Sequence, residues 1–341
     1  METNLRDNDM NPNKIKLLKE ITNNSFSDWI FENTFIVFKT INNFYLLIYA
    51  TELKSIIIYD LNNFKIITEI KNSHEEYITN FRHCYENNIK TDIIMSISRN
   101  NNNIKIWEIK CFQCLLNIKA VNTDGLLNSS TFLNYNNNIY IITSNRNWTN
   151  PEPIKIFDLK GKKIKELINL KVNSFFIDIY YDNKNSKIYI LSGNEGNSFS
   201  YDFKENEMYK IYQEKFENNI FHHSLSVYED KNDEKTKLIE SLDGNGIINI
   251  WDFHLNELIK KIECSNKSLR CIVLWNSDYL FVGCGDKTIK LIEIENGRII
   301  NSLIGHNKNV CSFKVIFHPK YGKCIISQGH ENDQIRLWGF F

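Results

Sequence analysis

Proline and glycine are scarce in this sequence, with four and thirteen in 341 residues, which argues against long flexible linkers. Neither sign of charge is in excess: Lys and Arg together number 41, and so do Asp and Glu. No general attraction to nucleic acid or to an anionic membrane is built in, although a local patch stays open. No apolar run approaches the eighteen or more residues of a membrane-crossing helix. The opening METNLRDNDMNPNK is polar and carries acids, unlike a secretory leader. The expectation is an intracellular, cytoplasmic protein, with the nucleus left open. The eight cysteines follow no even framework, which suits free thiols in a reducing compartment. Also missing are a phosphate-cradling glycine loop, a nucleophile elbow, HExxH and a dinucleotide fingerprint. The expectation is therefore no enzyme and no cofactor.

Asparagine is plentiful, at about one residue in seven, and runs such as Arg99 to Asn103 read as turn filler. A short aliphatic run ending in an aromatic or aliphatic residue recurs seven times. The runs are Ser55 to Asp60, Asn103 to Glu108, Pro153 to Asp158, Asn197 to Asp202, Ile247 to Asp252, Thr288 to Glu293 and Gln334 to Trp338. Their closing residues, at 59, 107, 157, 201, 251, 292 and 338, are 41 to 50 residues apart, close to the roughly 40–45 residues of one propeller blade. Alternate residues of a strand face opposite sides, so apolar residues in both phases mean burial on both faces. Each run is followed by a polar turn and a strand mixing aliphatics with Lys or Glu, as in Lys65 to Ile70, suited to an edge. The last run lacks this strand, and Lys14 to Ile21 supplies a match. The expected architecture is all-β: one seven-bladed propeller of four-stranded antiparallel blades over 14–341. Its ring would be closed by 14–21 as the outer strand of the last blade, and 1–13 would be a tail.

Gly305-His306 at the head of the final repeat and Trp338 at its end, with His74 and Trp107 placed alike in the second, resemble the WD-repeat β-propeller family. The resemblance implies a buried network of His, Ser, Asp and Trp in each well-kept blade. By it, His306, Ser327, Asp333 and Trp338 would form one network, with Asp333 one place off the usual register. His74, Ser98, Asn101 and Trp107 would form the other. A Ser-His-Asp set also invites a hydrolytic triad, but the indole at its end and the absence of a strained nucleophile turn favour framework. Asp286 keeps the usual register in a blade without the Trp. Metal chemistry at Cys111/Cys114 or His222-His223 is disfavoured because such spacings put strand side chains on opposite faces.

The resemblance further implies an interaction scaffold binding several proteins on its rims, with no signal for homo-oligomers. The expanded turn Ser144 to Pro153 places Arg146, Trp148 and Asn150 on one mouth, with Arg99 and His330 beside them. These five are the candidate partner-binding residues, a basic cluster suited to an acidic or phosphorylated peptide. The charged stretch Tyr228 to Lys237 reads as a solvated loop. Two alternatives are weaker. A phosphoinositide-binding propeller would carry a paired arginine motif, whereas Arg82 and Arg270 each stand alone. A ubiquitin-ligase substrate receptor would carry Arg where Lys110, Lys160, Lys204 and His254 stand.

Overall fold

The computed structural model describes residues 14–21, 34–51, 54–98, 101–119, 121, 126–146, 152–171, 176–194, 196–213, 221–230, 234–330 and 333–340. The expected tail, 1–13, lies outside them. The described residues form seven four-stranded antiparallel sheets and no α-helix. The seven runs read from the sequence are the third strands: Ile56–Asp60, Asn103–Glu108, Pro153–Asp158, Ser198–Asp202, Ile247–Asp252, Ile289–Glu293 and Ile335–Phe340.

The first strands, Phe35–Lys39, Ile78–Glu86, Leu126–Tyr135, Phe176–Asp182, Phe221–Glu229, Leu269–Leu274 and Val310–His318, line the centre. Each touches its successor, and the last touches the first, so the ring is closed. Apolar clusters fill the gaps between blades. One runs from Leu47 and Tyr49 of the first blade to Ile326 and Leu337 of the seventh. Another joins Ile48 and Ile58 of the first to Phe81 and Trp107 of the second. Because both faces of each sheet are covered this way, second strands such as Thr91–Ser98 are buried throughout, and outer strands such as Lys65–Ile70 are half-exposed.

Two local devices repeat. The outer pair of strands slips register beside the closing residue of every run, for example between Ile58 and Tyr59, Ile106 and Trp107, and Ile250 and Trp251. A bulge adds twist, and twist at the rim is what a propeller blade needs. The Asp that often ends the run caps the next turn. Asp60 accepts from the Asn62 amide at 2.8 Å, Asp202 from Lys204 at 3.0 Å and Asp252 from Leu255 at 2.9 Å. Among the described residues, fourteen other than glycine have positive φ, and seven are asparagines, including Asn206 and Asn256 in these turns. Asparagine tolerates this conformation better than most residues. It does here what glycine does in less Asn-rich chains.

Closure is by the N-terminal strand. Ile15–Ile21 pairs antiparallel with Ile335–Phe340, from Ile15 opposite Phe340 to Ile21 opposite Ile335. Ile15 and Ile21 are buried, each burial worth about 1.5–3 kcal/mol. Deleting residues 1–21 is therefore expected to lower the melting temperature by roughly 10 °C and to expose an unpaired strand edge that promotes aggregation. Thermal melts with light scattering read both effects, and an unchanged melt would mean the ring holds without this strand.

Candidate functional site

The seventh blade carries the complete network. Trp338 Nε1 donates to Ser327 Oγ at 2.7 Å, which lies 2.7 Å from His306 Nε2, and His306 Nδ1 lies 2.8 Å from Asp333 Oδ2. The Trp338, Ser327, His306 and Asp333 contacts are all satisfied when the Ser327 hydroxyl donates to Nε2 and His306 Nδ1 donates to Asp333, with Arg336 Nη1 also 2.7 Å from Nδ1. Arg336 Nη1 then serves Asp333 Oδ1 at 2.8 Å, and its Nε reaches Glu20 Oε1 at 3.0 Å on the closing strand. The network is buried, with Ser327 fully so. Burial lowers the His306 pKa despite its acid partner. Although burial disfavours the ion, hydrogen bonds from His306 and Arg336 hold Asp333 well below the usual carboxylate range. Asp333 also receives the Asn307 amide at 3.1 Å. The set pins the loop entering the blade to its strands. No strained, open nucleophile is left by it.

In the second blade the serine is Ser96, a correction to the expected Ser98. Ser96 Oγ lies 2.7 Å from His74 Nε2 and accepts from Trp107 Nε1 at 2.8 Å. Register decides this. Ser96 pairs with Lys105 as Ser327 pairs with Arg336, two residues before the Trp in both blades. Ser98 instead pairs with Ile78, as Gly329 pairs with Val310. A Cβ at Gly329 would fall 2.2 Å from Asp333 Oδ2, so only glycine admits the acid there. With Ser98 in that place, Asn101 does not close the network: its side-chain amide, Ser98 Oγ and His74 Nδ1 are buried without a protein partner. Burial, helped by the charge of Lys105, lowers the His74 pKa to about 3.

Two features escaped the sequence reading. At the serine's register in the fifth blade stands Glu240, fully buried. It accepts from Trp251 Nε1 at 2.7 Å, from Asn249 Nδ2 at 3.2 Å and from Ser198 Oγ of the fourth blade at 2.5 Å. A carboxylate here replaces the serine and staples two blades. The basic residue two before the closing position is the other feature. Lys105 donates to Ser73 O at 2.6 Å, Lys155 to Val121 O at 2.9 Å and Lys290 to Cys264 O at 2.6 Å. Each ties the incoming loop down, as His306 and Asp333 do in the seventh blade. The signal was in plain sight, a basic residue recurring inside the apolar runs at 105, 155, 290 and 336.

The five expected partner-binding residues are only partly described. His330 is half-buried just after Gly322–Gly329, and its amide donates to Asn309 O at 2.8 Å. Arg146 ends the strand Asn138–Arg146 opposite Leu126. The Arg146 side chain, Arg99, Trp148 and Asn150 lie outside the described residues, so no cluster of the five is established. Asp286 binds Thr288 and Lys290. Cys111 and Cys114 are exposed free thiols, Cys111 donating to Glu108. His222 opposes Leu242 at a bulge. Arg82 and Arg270 lie on first strands, away from a blade's outer edge, and Arg82 donates to Ile177 O at 3.1 Å. In the charged stretch, Asp230 N donates to Lys235 O, and Lys237 pairs with Asp230 at 2.6 Å; 231–233 lie outside the described residues.

Ser96→Ala leaves two buried groups unpaired and is expected to cost about 1–3 kcal/mol, whereas Ser98→Ala should be near neutral. Urea denaturation of both variants decides the register. The neutral His74 also makes stability pH-dependent. Its folded pKa of about 3 lies below the ordinary 6.5, so its contribution is intact above pH 6.5 and is lost as pH falls toward 3. The slope is about 1.4 kcal/mol per pH unit for this one group. The urea midpoint should fall between pH 7 and 4.5, with a shallower slope in His74→Gln.

No protein-family model matches the chain. It is 26% identical over 81 residues to the U3 small nucleolar RNA-associated protein 21 homolog of Schizosaccharomyces pombe, a match covering 24% of this chain and 9% of that protein. The chain thus spans only a small part of the relative's length. Seven four-stranded blades with ring closure by the first strand onto the last make the chain a seven-bladed β-propeller, and the His306–Ser327–Trp338 network with Asp333 is consistent with a likeness to WD repeats.

Proposed function

We propose that this propeller is a non-catalytic scaffold that holds other proteins within a larger assembly. The observation that carries the reading is the placement of large apolar side chains on its turns. Ile41 is 64% exposed and Ile304 81% exposed, with Leu255 and Phe44 above half. Turn residues can be polar at no loss to the fold, so aliphatics there serve something outside it. The residues with triad-like chemistry, in contrast, are consumed in the framework of the seventh blade.

The relative in S. pombe is named for its association with a small nucleolar RNA. That name lends support to membership of an assembly, and it makes the nucleolus a compartment to examine beside the expected cytoplasm. Several protein partners fit a ring that offers two mouths and seven outer strands. Neither the lone arginines nor the lysines after the runs favour the phosphoinositide or ubiquitin-ligase alternatives.

The test is native-size fractionation and tag purification from the source cells, with fluorescence imaging of the same tagged chain. The expected result is elution far above monomer size with the same stoichiometric partners in repeated preparations. Elution as a monomer without reproducible partners would sink the scaffold reading.

A further inference from the structure

Between the first two blades, on the face formed by the hairpin turns within blades, runs a groove enclosing about 500 Å³, within the range of ligand-binding clefts. Its apolar lining includes Ile41 and Phe44 from the turn of the first blade's inner hairpin, Ile67 from that blade's outer strand, and Phe112 from the second blade. Ile41, Phe44 and Ile67 are 64%, 52% and 49% exposed. Here three large side chains from two segments converge on one concavity.

The groove is rigid. Thr40 N donates to Phe44 O at 2.8 Å, closing the turn that carries both Ile41 and Phe44. Ile41 N donates across the blade boundary to Asp92 Oδ2 at 3.3 Å, while Asp92 Oδ1 holds His83 Nε2 at 2.8 Å. The His83 ring in turn stacks on Phe38 with centroids 3.7 Å apart. Preorganisation of this kind lowers the cost of ordering a binding surface.

Charge selects the occupant. The acids in the lining keep their charge but are buried and hydrogen-bonded, Asp92 as above and Asp60 by the Asn62 amide and the Asn63 side chain. The charge exposed at the rim is basic: Lys90 and Lys110 line the groove, are exposed and take part in no ion pair among the described residues. A membrane would meet apolar side chains on a convex tip with a dense basic cluster around it; this surface is concave and offers two lysines. We propose that the groove takes a short segment of a partner protein, with one or two large apolar side chains as anchors and carboxylates flanking them. The proposal rests on the scaffold reading and adds where one partner docks and by what chemistry.

The experiment is an mRNA-display selection of random dodecapeptides on the purified full-length chain, with enriched peptides measured by fluorescence anisotropy at low and moderate salt. The comparison proteins are Phe44→Ser and the double variant Lys90→Glu, Lys110→Glu. These side chains are exposed, and thermal melts verify that the fold is kept. Expected are enriched peptides with an apolar anchor among acidic residues. Their affinity should fall about tenfold or more in each variant, the loss of one anchor or of the rim charges being worth about 1.4 kcal/mol or more. It should also weaken with salt. Enrichment of basic or uncharged peptides, equal binding by the variants, or no enrichment overturns the proposal. So does co-sedimentation with phosphatidylserine vesicles that the double variant abolishes while no peptide binds, which would make the groove a lipid contact. If the double variant still fractionates in its assembly and binds no acidic peptide in either form, the groove fails while the scaffold stands. A monomeric wild type in native cells is the separate outcome that removes the scaffold.

Discussion

Everything in this molecule depends on the fact that a single four-stranded blade can bury neither of its two faces. Each blade of this chain is apolar on both sides, so it is stable only between two neighbours, and seven such demands are met at once only by a closed ring. Closure falls to one antiparallel pairing between residues at opposite ends of the chain, Ile15–Ile21 against Ile335–Phe340. The side chains reinforce it. Arg336 sits inside the last strand with one hand on Asp333 and the other on Glu20 of the closing strand, so the seventh blade's buried network and the ring's seam share a residue.

Within the ring, the same structural task is solved with different chemistry from blade to blade. Holding the incoming loop against the sheet is done by His306 and Asp333 in the seventh blade and by Lys155 or Lys290 in others, with His74 and Lys105 together in the second. The indole of the closing Trp finds a serine in two blades and a glutamate in the fifth. What is kept is the requirement that each buried donor meet an acceptor and that each loop be fastened. Divergence of repeats is tolerated because several residue types meet that requirement at the same register.

The framework leaves the rims free to vary. Turns within blades need only a residue that tolerates positive φ and a local side-chain oxygen that caps them, an acid as at Asp60 or a hydroxyl as at Thr40. Ile41 and Phe44 flank such a turn without being needed by it, and the groove they form with the second blade is held open by Asp92 and His83. Structure and surface are thus separable here, which is how one propeller architecture serves many partners.

How much was legible from the sequence can be followed residue by residue. The seven runs, their spacing and the missing outer strand were enough to place all the third strands and to find the closing segment, because the hydrophobic pattern of a strand buried on both faces is local and repeats. The seventh network was legible as well, since Gly305, His306 and Trp338 bracket it. Ser98 was the wrong serine because Ser96 and Ser98 share a strand face, and only the pairing with Lys105 tells which stands beside Trp107. Glu240 carries no local signal, because its role depends on Trp251 on the next strand and on Ser198 of the neighbouring blade. The groove was invisible for the same reason. Sequence alone determined the period, the strands and the count of blades, which follow from local alternation of burial. Register across strands, the partners of buried polar groups and the shape between neighbouring blades were decided by tertiary structure, because each depends on residues that only the closed ring brings together.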